Sequence, residues 1–327
     1  MNPPALAVEN LRKVYPVRRR RLFGARAVGE IKAVDDVSFA VPAGSCLGLV
    51  GESGCGKTTT ARAMLHLVPA TGGRVLLHGT DILPLLRGTD RAAELKVRRG
   101  IQYVFQDPYL SLNPRWSIGR TIAEPLRVHR HVPENDWWDR VEELLGMVGL
   151  EPMHAARFPH EFSGGQRQRV GIARALAVSP GVLICDEPVS SLDVSVRAQI
   201  LNLLVALQDR LELTLLYISH DLASVRFISD RIAVMYLGCI VEIAETEALF
   251  RHPLHHYTNA LLQAIPVPDP AARPAPPLGG ELPSAMDQPS GCPFRTRCPG
   301  AMPRCASEEP ILTEYGTGRM VACHYPR

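Results

Sequence analysis

One stretch restricts what this chain can fold into more than any other. The apolar segment Ser45-Cys-Leu-Gly-Leu-Val50 runs into Gly51-Glu-Ser-Gly-Cys-Gly-Lys57-Thr58, and residues 58–67 read as a helix. A strand that turns through glycines into a helix matches G-x-x-x-x-G-K-S/T in the context the motif requires. The glycines let the backbone curl so that its N–H groups converge on one point, and the helix N-terminus adds the positive end of its dipole. A loop of this kind takes phosphate groups: Lys57 is expected to reach the β- and γ-phosphates and Thr58 to ligate Mg²⁺. Alone, the motif indicates nucleotide binding and no more. It also fits an α/β architecture with a largely parallel sheet. Two further apolar strands, 182–185 and 215–218, flank a helix at 194–210 in the same rhythm.

The chain has 327 residues, enough for one large domain with an appendage or for two domains. Net charge is +3, too small to imply nucleic acid, and no nucleic-acid partner is expected. No apolar run approaches the roughly 20 residues that cross a bilayer, and the first residues have no signal-peptide pattern. A cytoplasmic location follows as an expectation, with any membrane role exerted through a partner. Residues 5–8 and 33–41 read as strands, and the basic run Arg18–Arg21 between them reads as part of a surface loop. Amphipathic helical stretches such as Trp137 to Met147 occupy residues 108–160. After Ile265 the composition changes: Pro266 to Pro289 holds eight prolines and reads as an extended linker. The expected organisation is one main, nucleotide-binding domain over 1–265 with a helical part at about 107–170. A proline-rich linker over 266–290 and a cysteine-rich tail over 291–327 follow.

Further residues extend the phosphate loop into a hydrolytic site. Val182-Leu-Ile-Cys-Asp186-Glu187-Pro188 is an apolar strand ending in two acids, at the edge where ligands gather in open α/β sheets. Asp186 suits Mg²⁺, and Glu187 suits orientation or activation of an attacking water. Taken alone, the pair could equally be acids favoured at a helix N-terminus. Phe162-Ser163-Gly164-Gly165-Gln166 then precedes a helix, making a second potential anion site from glycines, a hydroxyl and a helix start.

With that loop the chain resembles the nucleotide-binding subunits of ABC transporters, whose signature is Ser-Gly-Gly-Gln. Phe162 departs from the leucine usual before it. The resemblance implies a P-loop ABC ATPase core with an antiparallel β subdomain and a helical subdomain. It implies that Gln106, in YVFQDP, contacts Mg²⁺ or water. Ser191-Leu192-Asp193 matches the loop at the dimer seam, His220 the residue that contacts the γ-phosphate, and Tyr15 the aromatic that stacks on adenine. The implied nucleotide-binding set is Tyr15, Gly51, Ser53, Gly54, Cys55, Gly56, Lys57, Thr58, Thr59, Ser163, Gly164, Gly165, Gln166 and Asp193. Glu187, His220 and Gln106 are the implied catalytic residues, and Thr58, Gln106 and Asp186 the implied Mg²⁺ ligands. The resemblance also implies that two such subunits pair head to tail, with each ATP held between one phosphate loop and the other subunit's signature loop.

DPYLSLNPR after Gln106, DVSVRAQILNLL after the acidic pair, HPLHHYTNALLQAIP at 252–266 and the cysteine tail resemble the oligopeptide/dipeptide (also nickel and glutathione) importer branch. This implies two permease chains, a second ATPase subunit and an extracytoplasmic solute-binding protein. The ATPase would then sit peripherally on the cytoplasmic face of the membrane.

Four of the eight cysteines, Cys292, Cys298, Cys305 and Cys323, fall in the last 36 residues, separated by five, six and seventeen residues. None of these spacings is the short pair usual for structural zinc. Four thiolates suit a 4Fe–4S cluster or Zn²⁺, and similar importer ATPases favour the cluster. Arg295, Arg297 and Arg304 are expected to offset the thiolate charge.

Overall fold

The computed structural model describes residues 3–21, 24–130, 132–264, 279 and 283–327. These divide into two compact units, residues 1–7, 40–46 and 76–219 in one and 8–39, 47–75 and 220–327 in the other.

The first unit is built on three parallel strands, Ile101–Val104, Val182–Asp186 and Thr214–Ile218. Every residue of the last two is buried. Parallel strands covered on both faces read as unbroken apolar runs, which is why the sequence marks them so clearly. The helix Ile118–His129 buries Ile118, Ile122 and Leu126, one stripe at four-residue spacing. Trp137–Met147 answers with Val141, Leu144 and Leu145. Gly119 lets other parts of the helical region come close: a Cβ there would lie 2.7 Å from the Trp138 ring and 3.1 Å from Ala155. The helix Gly164–Leu176 is tied to this layer by Arg174, which donates to Ser111 O at 3.0 Å and to Glu124 at 2.9 Å.

In the second unit, residues 47–50 of the strand Cys46–Val50 lie parallel to Arg231–Tyr236. Arg231–Tyr236 turns back into Cys239–Glu245 through Leu237 and Gly238, both at positive φ (43° and 88°), as a two-residue hairpin with right-handed strand twist requires. Gly24–Val41, Leu6–Arg21 and Gly72–Leu77 lie side by side in that order. The surface loop expected around Arg18–Arg21 is therefore corrected: the strand continues to Arg21 and resumes at Gly24. A ladder is made by backbone N–H and C=O groups, so a basic run does not by itself end a strand. Most of the proline-rich stretch, residues 265–278 and 280–282, lies outside the described residues.

The expected metal-held tail is also corrected. Among the described residues no group of three or more His, Cys, Asp or Glu side chains is arranged to hold a metal ion, and all eight cysteines are free. Burial pushes the Cys292 thiol up to about 11 and raises Cys298 and Cys323 as well. A free thiol packs as a small apolar side chain. The arginines do not serve thiolates. Arg297 pairs with Glu52, Arg304 with Glu308, and Arg295 donates to Ser290 O. What holds the segment is ordinary packing and pairing. Met320–Val321 pairs antiparallel with Ile243 and Glu242. Phe294 is buried against Tyr236, Tyr257 and His255. His324, beside Cys323, faces Glu308 O at 2.9 Å.

Candidate active site

The phosphate loop lies in the second unit, between the strand Cys46–Val50 and the helix Lys57–Met64. Gly56 sits at φ 112°, and a Cβ there would lie 2.2 Å from Ala33 O; no other residue type fits. Gly51 is packed as tightly, its would-be Cβ 2.2 Å from Met235 O. The buried Lys57 curls into its own loop, its Nζ donating to Gly51 O at 2.8 Å and Glu52 O at 3.0 Å. Those two carbonyls hold the ammonium against the loop. Cys55 is buried beside it, and desolvation raises its thiol pKa against the opposing charge of Lys57. Thr58 and Thr59 are half-buried on the first turn, with Ser53 and Gly54 exposed at the tip. Tyr15 is 37% exposed, with Lys13 Nζ 4.5 Å from its ring centroid. That leaves an aromatic face on the surface. His220 follows the strand Thr214–Ile218 and is exposed.

The acids lie in the first unit. Asp186, the last residue of its strand, is buried and accepts a hydrogen bond from Tyr103 Oη at 2.5 Å. Glu187 takes a left-handed backbone conformation, φ 47°, which costs a non-glycine residue on the order of 1 kcal/mol or more. Its N–H donates to Ile218 O at 2.8 Å, and Ser190 Oγ donates to its carbonyl at 3.1 Å. The side chain is thereby turned to meet Gln106, whose Nε2 donates to Glu187 Oε2 at 3.0 Å. Two residues 81 positions apart are joined at the C-terminal edge of the parallel strands. Tyr103 was not singled out by sequence. Its position three residues before Gln106, on the strand that pairs with Val182–Asp186, is the signal that could have found it.

Ser163 is the N-cap of Gly164–Leu176: its Oγ accepts from Gln166 N at 3.3 Å while Gln166 Oε1 accepts from Ser163 N at 3.0 Å. Gly165 is buried, and a Cβ there would lie 2.2 Å from Val196 Cγ1. Phe162 is buried, with the His154 ring 5.4 Å away, so the departure from leucine is absorbed by packing. Asp193 caps Val194–Leu211, accepting from Val196 N at 3.0 Å and Ser195 Oγ at 2.7 Å. The Val196 N–H, then the Ser195 hydroxyl, hold its carboxyl below the usual range.

Residues 34–190 match the ABC transporter family, and residues 241–305 match the C-terminal region of oligopeptide/dipeptide transporters. The chain belongs to the ABC transporter ATP-binding family. It is 48% identical over 322 residues to the oligopeptide transport ATP-binding protein AppF of Bacillus subtilis, a match covering 98% of this chain and 96% of that protein. It is 49% identical over 311 residues to the oligopeptide transport ATP-binding protein OppF of Salmonella typhimurium, covering 94% and 92%. Its fold superimposes on a dimeric ATP-binding cassette, MJ0796, in a post-hydrolysis state bound to ADP and Pi. The TM-score is 0.63 at 27% identity, covering 74% of this chain and 98% of that one. This ABC protein is therefore an ATPase subunit of the oligopeptide/dipeptide transporter family, with ATP and Mg²⁺ as its nucleotide and metal. ATP-binding subunits of this family dimerise and work with permeases. Among the described residues no helix is long and apolar enough to cross a membrane.

Proposed function

We propose that this subunit powers import of oligopeptides, dipeptides or a similar small solute. It acts from the cytoplasmic face of the membrane, beneath two permease chains and beside a second ATPase subunit, with a solute-binding protein delivering the cargo. The ATPase is assigned to residues 1–265, joined through 266–290 to a closing segment, 291–327. The Gln106–Glu187 hydrogen bond carries the catalytic part of the reading, because it aims one carboxylate and one amide at the same spot. Glu187 orients the attacking water and takes up its proton as the water oxygen bonds to the γ-phosphorus and the bond to the ADP oxygen breaks. Gln106 holds Glu187 in place and offers its carbonyl oxygen to Mg²⁺ or water. Asp186, its carboxylate set by Tyr103, and Thr58 supply Mg²⁺ ligands. Lys57 exchanges loop carbonyls for β- and γ-phosphate oxygens, and the amides of residues 51–59 take the rest. His220 faces the γ-phosphate and Tyr15 stacks on adenine. The signature loop Ser163–Gln166 and Asp193 meet the ATP of the second subunit, where the Ser163 hydroxyl leaves its own helix cap for phosphate.

The import assignment is tested by purifying the chain from native membranes in mild detergent. Two permease chains and a second ATPase subunit should come with it. Recovery only in the soluble fraction, without permeases, would remove the transporter from the reading and leave the ATPase.

A further inference from the structure

Glu52 places a carboxylate on the loop that the proposed reading gives to the phosphates of ATP, where negative charge repels the ligand. Within the second unit that carboxylate is held by a residue 245 positions further along the chain. Arg297 Nη1 donates to Glu52 Oε2 at 2.8 Å and Nη2 to Oε1 at 3.0 Å, a two-pronged pairing. The Arg297 side chain is 5% exposed and that of Glu52 26%. The guanidinium carbon lies 6.0 Å from the Tyr236 ring centroid, and Tyr236 packs on the buried Phe294, three residues before Arg297. Tyr257 holds the other end of Glu52, its hydroxyl accepting the Glu52 N–H at 2.9 Å. The Glu52 carbonyl is one of the two that receive Lys57. Gly238 N donates to Cys55 O at 2.8 Å, and Gln288 donates to Leu237 O at 3.2 Å. The phosphate loop is thus held from its side chain, its amide and its base by residues of 236–297.

We infer that the C-terminal segment is a built-in clamp on the phosphate loop. Arg297 is its positioning residue: it neutralises Glu52 and fixes the loop carbonyls that seat Lys57. Nucleotide affinity is set in part from the tail, which gives the closing segment a role in the ATPase cycle. The inference rests on the phosphate loop being the nucleotide site.

The test measures equilibrium binding of ATP·Mg²⁺, and the KM and kcat of hydrolysis, on the full-length chain. Arg297→Gln leaves Glu52 uncompensated beside the phosphates and should weaken ATP binding about tenfold, with KM moving and kcat within about twofold. Adding Glu52→Gln removes the repelling charge, so the double variant should bind at least threefold tighter than Arg297→Gln. Arg297→Lys, with one ammonium for a two-pronged guanidinium, should fall between Arg297→Gln and the parent chain. An ion pair that only stabilises the fold gives no such rescue of binding. Binding by Arg297→Gln within twofold of the parent chain, or a double variant no tighter than Arg297→Gln, overturns the inference. If Arg297→Gln does not fold, Arg297→Lys is compared with the parent chain, and equal affinity overturns it. Lys57→Ala separates the two readings. If it leaves ATP binding intact, the phosphate-loop site itself fails; if it abolishes binding while Arg297→Gln does not weaken it, only the clamp fails.

Discussion

Removing the Glu242 carboxylate should loosen the segment that carries Tyr257 to the phosphate loop. Glu242 is 0% exposed on the strand Cys239–Glu245. Its oxygens accept the N–H groups of Leu254 and His255, each at 2.9 Å, and Arg319 Nη2 at 3.2 Å. Glu242→Ala leaves two buried N–H groups without acceptors, at about 1–3 kcal/mol each, before any loss from the Arg319 pair. Together they come to about 2–6 kcal/mol, and the middle of that range matches the roughly 3–5 kcal/mol lost when one partner of a buried charged pair is removed. Glu242→Gln keeps one acceptor oxygen and should cost about half as much. The residues released lead directly into the helix His256–Gln263, which positions Tyr257. Hydrogen exchange of a fragment spanning residues 250–264 reads the effect where it arises. At 1.4 kcal/mol per factor of ten, exchange there should quicken by about a hundredfold or more in Glu242→Ala. Exchange within about threefold of the parent chain would refute the claim that this carboxylate holds the turn.

Other expectations follow from single contacts. Gly165→Ala drives a Cβ to within 2.2 Å of Val196 Cγ1 and should destabilise by about 1–3 kcal/mol in chemical denaturation; Val196→Ala in the same chain should recover most of that loss. His255 is buried, accepts the Tyr257 N–H on Nδ1 at 3.0 Å, and is pushed by burial down to about 3. Because its folded pKa is lowered, the unfolded chain binds the extra proton. Its contribution is therefore intact above about pH 6.5 and drains away as pH falls toward 3, by up to about 1.4 kcal/mol per pH unit. Melting temperature should drop across that window, and His255→Gln should flatten the slope there.

The sequence carried the phosphate loop, the acidic strand end and the signature loop because each is local. Glycines at fixed offsets, an apolar run and a helix start are all written within a few residues of one another. Gln106 was legible through family resemblance, but its hydrogen bond to Glu187 depends on the register of two paired strands, and so does the Tyr103 bond to Asp186. The tail was misread because four clustered cysteines suggest a soft metal by composition alone. Nothing local says that the four side chains are not arranged as a metal site, or that Arg297 turns to Glu52 rather than to sulfur. The strand through Arg18–Arg21 was missed for a similar reason: side-chain charge is visible in sequence, and backbone pairing is not.

In the proposed reaction Glu187, held by Gln106, directs water onto the γ-phosphate of bound ATP. Phosphate release in a single turnover, measured beside ATP binding for the parent chain and Glu187→Gln, isolates that role. Glu187→Gln should still bind ATP·Mg²⁺ and release phosphate about 10²–10⁴ times more slowly, the contribution usual for a positioned general base. Release by that variant within about threefold of the parent rate would contradict the assignment.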